Sequence, residues 1–166
     1  LAIVEELEQT TGVISSDTGK VPMDALVSDI MPVLDFLKSL EKEAEGILGP
    51  QKAKTPLVLI GKKSSVEYIP RGTVLIISPW NYPFQLTMIP ILSALIAGNC
   101  VISKPSEVTP QVGLFMKRLF EKAGFPENWS PDHHSHLLAA AYNDSHAALR
   151  HPLRTELSAE CAQGNR

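Results

Sequence analysis

Apolar and polar positions alternate along this chain in three distinct patterns. In the first, Leu26, Ile30, Val33, Leu37, Leu40, Ala44 and Ile47 recur at alternating gaps of four and three. That is one stripe on a long helix, with Pro22 suited to its first turn. Pro32 lies inside the stripe and lacks a backbone N–H, so a kink is expected there. Gly46 and Gly49-Pro50 should end the helix. Ahead of it, "LAIVEELEQT" (1–10) reads as the end of another helix, stopped by Gly12. The second pattern is a pair of short runs of strand formers, "PLVLI" (56–60) and "SVEYI" (65–69), joined by "GKKS". It predicts a β-hairpin.

The third pattern is unbroken apolar sequence. "TVLIIS" (73–78) suits a strand buried on both faces. Residues 83–97 are apolar nearly all round, which predicts a buried helix stopped by Gly98. "CVIS" (100–103) is a second buried strand. Thr109 is placed to cap a further helix with Pro110 in its first turn. Val112, Phe115, Met116, Leu119, Phe120 and Ala123 form its inner face, and Gly124 ends it. Strand, helix, strand, helix in this order implies an α/β fold with a parallel sheet and a right-handed crossover.

Ligands of open parallel sheets sit beyond the carboxyl ends of the strands. Strand 73–78 delivers Pro79, Trp80 and Asn81 there, and strand 100–103 delivers Lys104, Pro105, Ser106 and Glu107. If the strands are neighbours, both clusters share one rim. Asn81 offers an amide donor, Lys104 a cation, and Ser106 and Glu107 can bond sugar hydroxyls. The set suits a ribose-bearing ligand better than a bare phosphate. Blander roles compete with these. Asparagine caps helices well, a lysine at a strand end is commonly solvated, and Trp80 could be a core aromatic.

Composition narrows the picture. The chain has 166 residues, 44% of them hydrophobic, enough for a real core. A net charge of -3 with no basic stripe argues against nucleic acid. Cys100 and Cys161 have no paired spacing, so neither a disulfide framework nor a cysteine-based zinc site is expected. Cys100 opens an apolar strand without a neighbouring base and reads as a small buried hydrophobe rather than a nucleophile. The longest apolar stretch, Leu86 to Ile102, is broken by Pro90, Gly98 and Asn99 and is too short to span a membrane. The chain opens at Leu1 inside an apparent helix, which points to residues preceding it.

"PWNYPF", "AGNCVISKPSEVTP" and "GFPENW" resemble the N-terminal half of the NAD(P)-dependent aldehyde dehydrogenases, and the 54–84 stretch resembles the class-3-like fatty or aromatic branch in particular. The resemblance covers 1–129. It implies the N-terminal helices, a hairpin arm at 55–70 used in oligomerisation, and the first part of a Rossmann-like sheet. The family oxidises an aldehyde to a carboxylic acid with NAD(P)+. Carried over to this sequence, Asn81 matches the oxyanion donor. Ser78, Pro79 and Trp80 match backbone lining the nicotinamide side. Lys104 and Glu107 match the holders of the adenosine ribose, with Ser106 beside that pocket. NAD or NADP is the implied cofactor, and Glu107 near the ribose favours NAD. An aldehyde substrate, a homo-oligomer and a cytoplasmic location are implied with it.

The sequence also departs from that pattern. The glycine-rich phosphate turn, the base glutamate in Glu-Leu-Gly-Gly-Lys and the cysteine in Gly-Gln-x-Cys are not found. Cys161, in "SAECAQG", lacks that setting. A truncated chain, inactive alone, is therefore expected. From Ser130 the composition changes: residues 131–166 hold all five histidines (His133, His134, His136, His146, His151) and no lysine, isoleucine, valine, phenylalanine or methionine. Residues 130–166 read as a poorly ordered divergent tail that cannot supply the next strand, a frameshifted, alternatively spliced or misassembled end. "DHHSH" lacks placed carboxylate or cysteine partners, and no specific metal site is expected. Two other roles remain open: an interaction fragment pairing with a full-length subunit, and a metal-binding tail on an inert scaffold.

Overall fold

The structure, a computed structural model, describes residues 2–125 and the backbone of 137–139. It begins with α1 (Ala2–Glu5) and α2 (Leu7–Thr18). α2 runs through Gly12, where the sequence pattern predicts a stop. One glycine costs a helix only about 1 kcal/mol, and Ile14, buried in the core beyond it, carries the helix on. The end comes at Gly19, whose φ of 73° is a left-handed cap open to glycine.

Pro22 opens α3 (Pro22–Ala25), which continues through a π-helical turn, Leu26–Ile30, into α4 (Met31–Leu48). The kink expected at Pro32 takes the form of this widened turn, in which Met31 N–H reaches back to the Leu26 carbonyl. Pro32 has no N–H and its ring would crowd the carbonyl four residues earlier; the wider turn before it eases both. Ala25, Ile30 and Val33 are fully buried, whereas Ile47 at the far end of the stripe is exposed.

The hairpin is present with different strands. β1 (Gln51–Ala53) pairs antiparallel with β2 (Ser64–Val66), Gln51 opposite Val66 and Ala53 opposite Ser64. "PLVLI" is not a strand; Leu57–Leu59 form a 3-10 turn. Pro56 offers the ladder no donor, and Leu57 and Val58, 88% and 94% exposed, have no face to pack on. Strand propensity is mostly packing, so without packing it does not decide. Thr55 closes the loop instead, its hydroxyl accepting from Ser64 N–H at 3.2 Å.

β3 (Thr73–Ile77) and β4 (Cys100–Lys104) are parallel neighbours, in register from Thr73–Cys100 to Ile77–Lys104. α5 (Gln85–Ile96) connects them and α6 (Pro110–Lys122) follows. β3 departs from the double burial its apolar run predicts: Ile76 is buried, but Leu75 and Ile77 on the other face are exposed. α6 buries Val112, Phe115, Met116, Leu119 and Phe120 as its spacing predicts, and leaves Ala123 exposed beyond its last turn. Ile14, Ile30, Ile76, Phe84, Val101 and Val112 belong to one core, so the N-terminal helices, α5, α6 and the inner sheet face share it.

A third strand, β5 (Leu137–Ala139), pairs parallel with β4, from Val101–Leu137 to Ser103–Ala139. This corrects the expectation that the segment after Ser130 cannot supply one. Ladder bonds are made by the backbone, and the open edge of β4 is a template that does not require β-branched partners. Cys100 is buried, as expected. Among the described residues no helix is long and apolar enough to cross a membrane.

Candidate functional site

Two loops leave the sheet at one end. Ile77 lies opposite Lys104, and Ser78 N–H donates to the Lys104 carbonyl at 3.1 Å. The ends of β3 and β4 are thus bonded to each other, and the clusters at 78–81 and 104–107 diverge from that point. At the opposite end Asn99 locks the frame: its Oδ1 accepts from Arg71 N–H at 2.6 Å and its Nδ2 donates to the Ala94 carbonyl at 3.1 Å.

The first loop is open. Ser78 is buried, and its Oγ has no partner among the described residues. Pro79, Asn81 and Trp80 are exposed, Trp80 by 57%. Trp80 is therefore no core aromatic. The Asn81 amide makes no hydrogen bond among the described residues and does not cap α5, whose cap residue is Phe84. The helix-capping role weighed for Asn81 is not realised. Pro83 and Phe84 are buried and end the exposed stretch.

α5 is capped from elsewhere. Asp29, fully buried in the π-helical turn, accepts Gln85 N–H on Oδ1 at 3.3 Å and the Lys20 ammonium on Oδ2 at 2.6 Å. Lys20 Nζ also lies 3.9 Å from the centre of the Tyr82 ring. Aspartate at a helix start answers both the orphan N–H groups and the positive end of the helix dipole. These three groups are missing from the sequence reading. The acid at 29 beside Ile30 in the stripe is the sole local hint, and its partners lie nine and 56 residues away.

The second loop is engaged with itself. Lys104 Nζ lies 3.2 Å from Glu107 Oε2, and both side chains are exposed. The backbone hydrogen bond at Glu107 and then the Lys104 ammonium hold the Glu107 carboxyl below its ordinary value. Ser106 Oγ accepts from Val108 N–H at 3.2 Å and its carbonyl from Thr109 N–H at 3.3 Å. Thr109 stands at the cap position of α6 as expected, but its hydroxyl is buried and unpartnered among the described residues. Asp17 of α2 supplies the cap, accepting Val112 N–H at 2.9 Å. A Cβ on Gly113 would meet Pro105 Cγ at 2.9 Å, so this glycine lets α6 seat directly on the loop.

Among the described residues no group of three His, Cys, Asp or Glu could hold a metal. His133, His134, His136, His146, His151 and Cys161 lie outside the described residues, as does Trp129.

Residues 2–130 match the aldehyde dehydrogenase family, and the chain belongs to it. It is 40% identical over 126 residues to the 4,4'-diapolycopene aldehyde oxidase of Methylomonas sp, covering 75% of this chain and 24% of that protein. To aldehyde dehydrogenase family 3 member H1 of Arabidopsis thaliana it is 35% identical over 106 residues, 64% of this chain and 22% of that one. The substrate-bound structure of Staphylococcus aureus AldH is similar at a TM-score of 0.73 and 36% identity, over 82% of this chain and 29% of that chain. The family-3 resemblance and the partial Rossmann-like fold are as the sequence implies. The chain spans about a quarter of the length of the curated relatives it matches.

Proposed function

We propose that this chain carries the oxyanion-donor and ribose-binding part of an NAD(P)-dependent aldehyde dehydrogenase site. The observation that carries the reading is the bond from Ser78 N–H to the Lys104 carbonyl, which sets the Asn81 and Lys104 loops on one rim of a parallel sheet. Three features fit a dinucleotide. Glu107 is an exposed, readily ionised acceptor for ribose hydroxyls. Lys104 adds a donor beside it. Ser78 Oγ is a buried hydroxyl at the strand end without a partner among the described residues. When bound, the nicotinamide ring supplies a hydride acceptor. Ser78, Pro79 and Trp80 line its side of the rim, Lys104 and Glu107 hold the adenosine ribose, and Ser106 flanks that pocket. NAD is favoured over NADP, since a carboxylate at the ribose repels a 2′-phosphate. The Asn81 amide, without a hydrogen-bond partner among the described residues, is available to donate to the oxygen that gains charge when a nucleophile attacks an aldehyde carbonyl.

Titration of the chain with NAD+ and NADP+ by calorimetry tests this. Lys104→Met and Glu107→Gln are expected to weaken binding about tenfold or more, the worth of one charge-assisted hydrogen bond. Asn81→Ala is expected to leave it unchanged. In a full-length relative, the change matching Asn81→Ala should slow turnover by about 10²–10³; an equal loss of turnover and cofactor affinity would contradict the oxyanion role. Without the family's nucleophile and base motifs, the chain alone should form no NADH from aldehyde, and formation of NADH would overturn that part.

A second reading has its own observation. Leu57, Val58, Ile60 and Ile69 are exposed on and beside the hairpin. They favour an arm that pairs with a subunit, and an oligomer in the cytoplasm fits it. Mixing the chain with a full-length family enzyme and following co-elution tests that directly.

A further inference from the structure

We propose that Lys20 and Asp29 are positioning residues for the Asn81 amide, an inference that rests on reading Asn81 as the oxyanion donor. A donor meant for developing charge must be placed in advance without being consumed by a resident partner. Asn81 is exposed and makes no side-chain hydrogen bond among the described residues, so its own side chain fixes nothing. Its placement comes from the two ends of the turn that bears it. One end is the β3–β4 ladder, closed by Ser78 N–H on the Lys104 carbonyl at 3.1 Å. The other is the start of α5, where the two oxygens of Asp29 hold Gln85 N–H and the Lys20 ammonium. The ammonium also sits over the ring of Tyr82, the residue after Asn81. One partly buried ion pair thus grips the helix and the exposed turn together.

A core need alone does not account for this. A buried ion pair is commonly no more stabilising than apolar packing of the same volume. What it adds is direction: a cation fixed over one ring and a carboxylate aimed at one N–H. Asp17 provides a contrast inside the same molecule. It caps α6 at Val112 as Asp29 caps α5, but among the described residues no hydrogen bond or ion pair joins it to the Asn81 turn.

The test uses the whole chain with Trp129→Phe, which leaves Trp80 as the sole tryptophan, since the sequence has two. Proton–nitrogen spectra report the Trp80 indole and the Asn81 side-chain amide, the latter assigned by its loss in Asn81→Ala. Lys20→Met and Asp29→Asn are expected to shift or broaden both signals. Lys20→Arg, which keeps a cation for the carboxylate and the ring, is expected to preserve them. Asp17→Asn should lower the melting temperature and leave both signals in place. Signals unmoved in Lys20→Met, or moved equally by Asp17→Asn, would overturn the proposal. Lys20 sits at the rim of the pair, so Lys20→Met decides the matter should Asp29→Asn fail to fold. No ligand enters this test. A chain that binds no dinucleotide counts against the functional reading, while these spectra still decide the bracing.

Discussion

The Asn81 turn and the Lys104 loop leave the same end of the sheet, yet they are fixed in opposite ways. The Lys104 loop is held by its own groups and by the helix that follows it: Lys104 pairs with Glu107, Ser106 closes the turn, and Pro105 lies against Gly113 of α6. The Asn81 turn keeps its amide unspent and takes its support from Asp29 and Lys20, far away in sequence. An exposed ion pair contributes little to stability, so on the proposed reading Lys104 and Glu107 would exchange each other for ribose hydroxyls at small cost. An amide that meets charge only briefly gains most from being placed beforehand.

Four substitutions test how differently the two loops are held. The largest effect is expected from Asp29→Ala, which strands the Lys20 ammonium and uncaps α5. Removing one partner of a buried pair costs about 3–5 kcal/mol, to be read from urea unfolding; a loss near zero would mean that the Asn81 turn has no remote support. Gly113→Ala forces a methyl against Pro105 and should cost about 1–3 kcal/mol. Its spectral changes should centre on residues 104–107 and spare Asn81.

Glu107 gives a smaller, pH-dependent effect. Its folded value lies below the unfolded one, so its contribution is present above the ordinary carboxylate range and is lost as pH falls through the folded value. Melting curves of the chain and of Glu107→Gln should therefore converge in acid, and also at high salt. A gap that persists in acid would assign the difference to something other than the charge. The smallest effect is Asn81→Ala, expected within about 0.5 kcal/mol of the parent because the amide is exposed and unbonded among the described residues. A larger loss would show a structural role that the open turn denies.

Much of the sheet and its rim was legible in the sequence, because its signals are local. "TVLIIS" and "CVIS" are continuous apolar runs, and the polar residues follow them directly. Burial was harder to read: an apolar run does not say how many layers cover it, and Leu75 and Ile77 face outwards. The hairpin register was lost for a related reason. "PLVLI" has strand composition but no face to bury, and the actual first strand, Gln51–Ala53, carries almost no propensity signal. Least legible were the supports of the site. Asp29 to Gln85 and Asp17 to Val112 bridge 56 and 95 residues, and nothing at either end marks the other.

The π-helical turn at Leu26–Ile30 carries a consequence for redesign. With 3.6 residues per α-turn, each residue is worth about 100° of rotation about the axis. The one surplus residue in that turn therefore sets the azimuth of Asp29, and of everything before it, against the remainder of the helix. Excising one residue there would close the turn to α geometry and set the Pro32 ring back against the carbonyl four residues earlier. It would also swing the acid away from Gln85 and leave Lys20 without its anchor, so the stretch should accept point substitutions far more readily than a one-residue deletion.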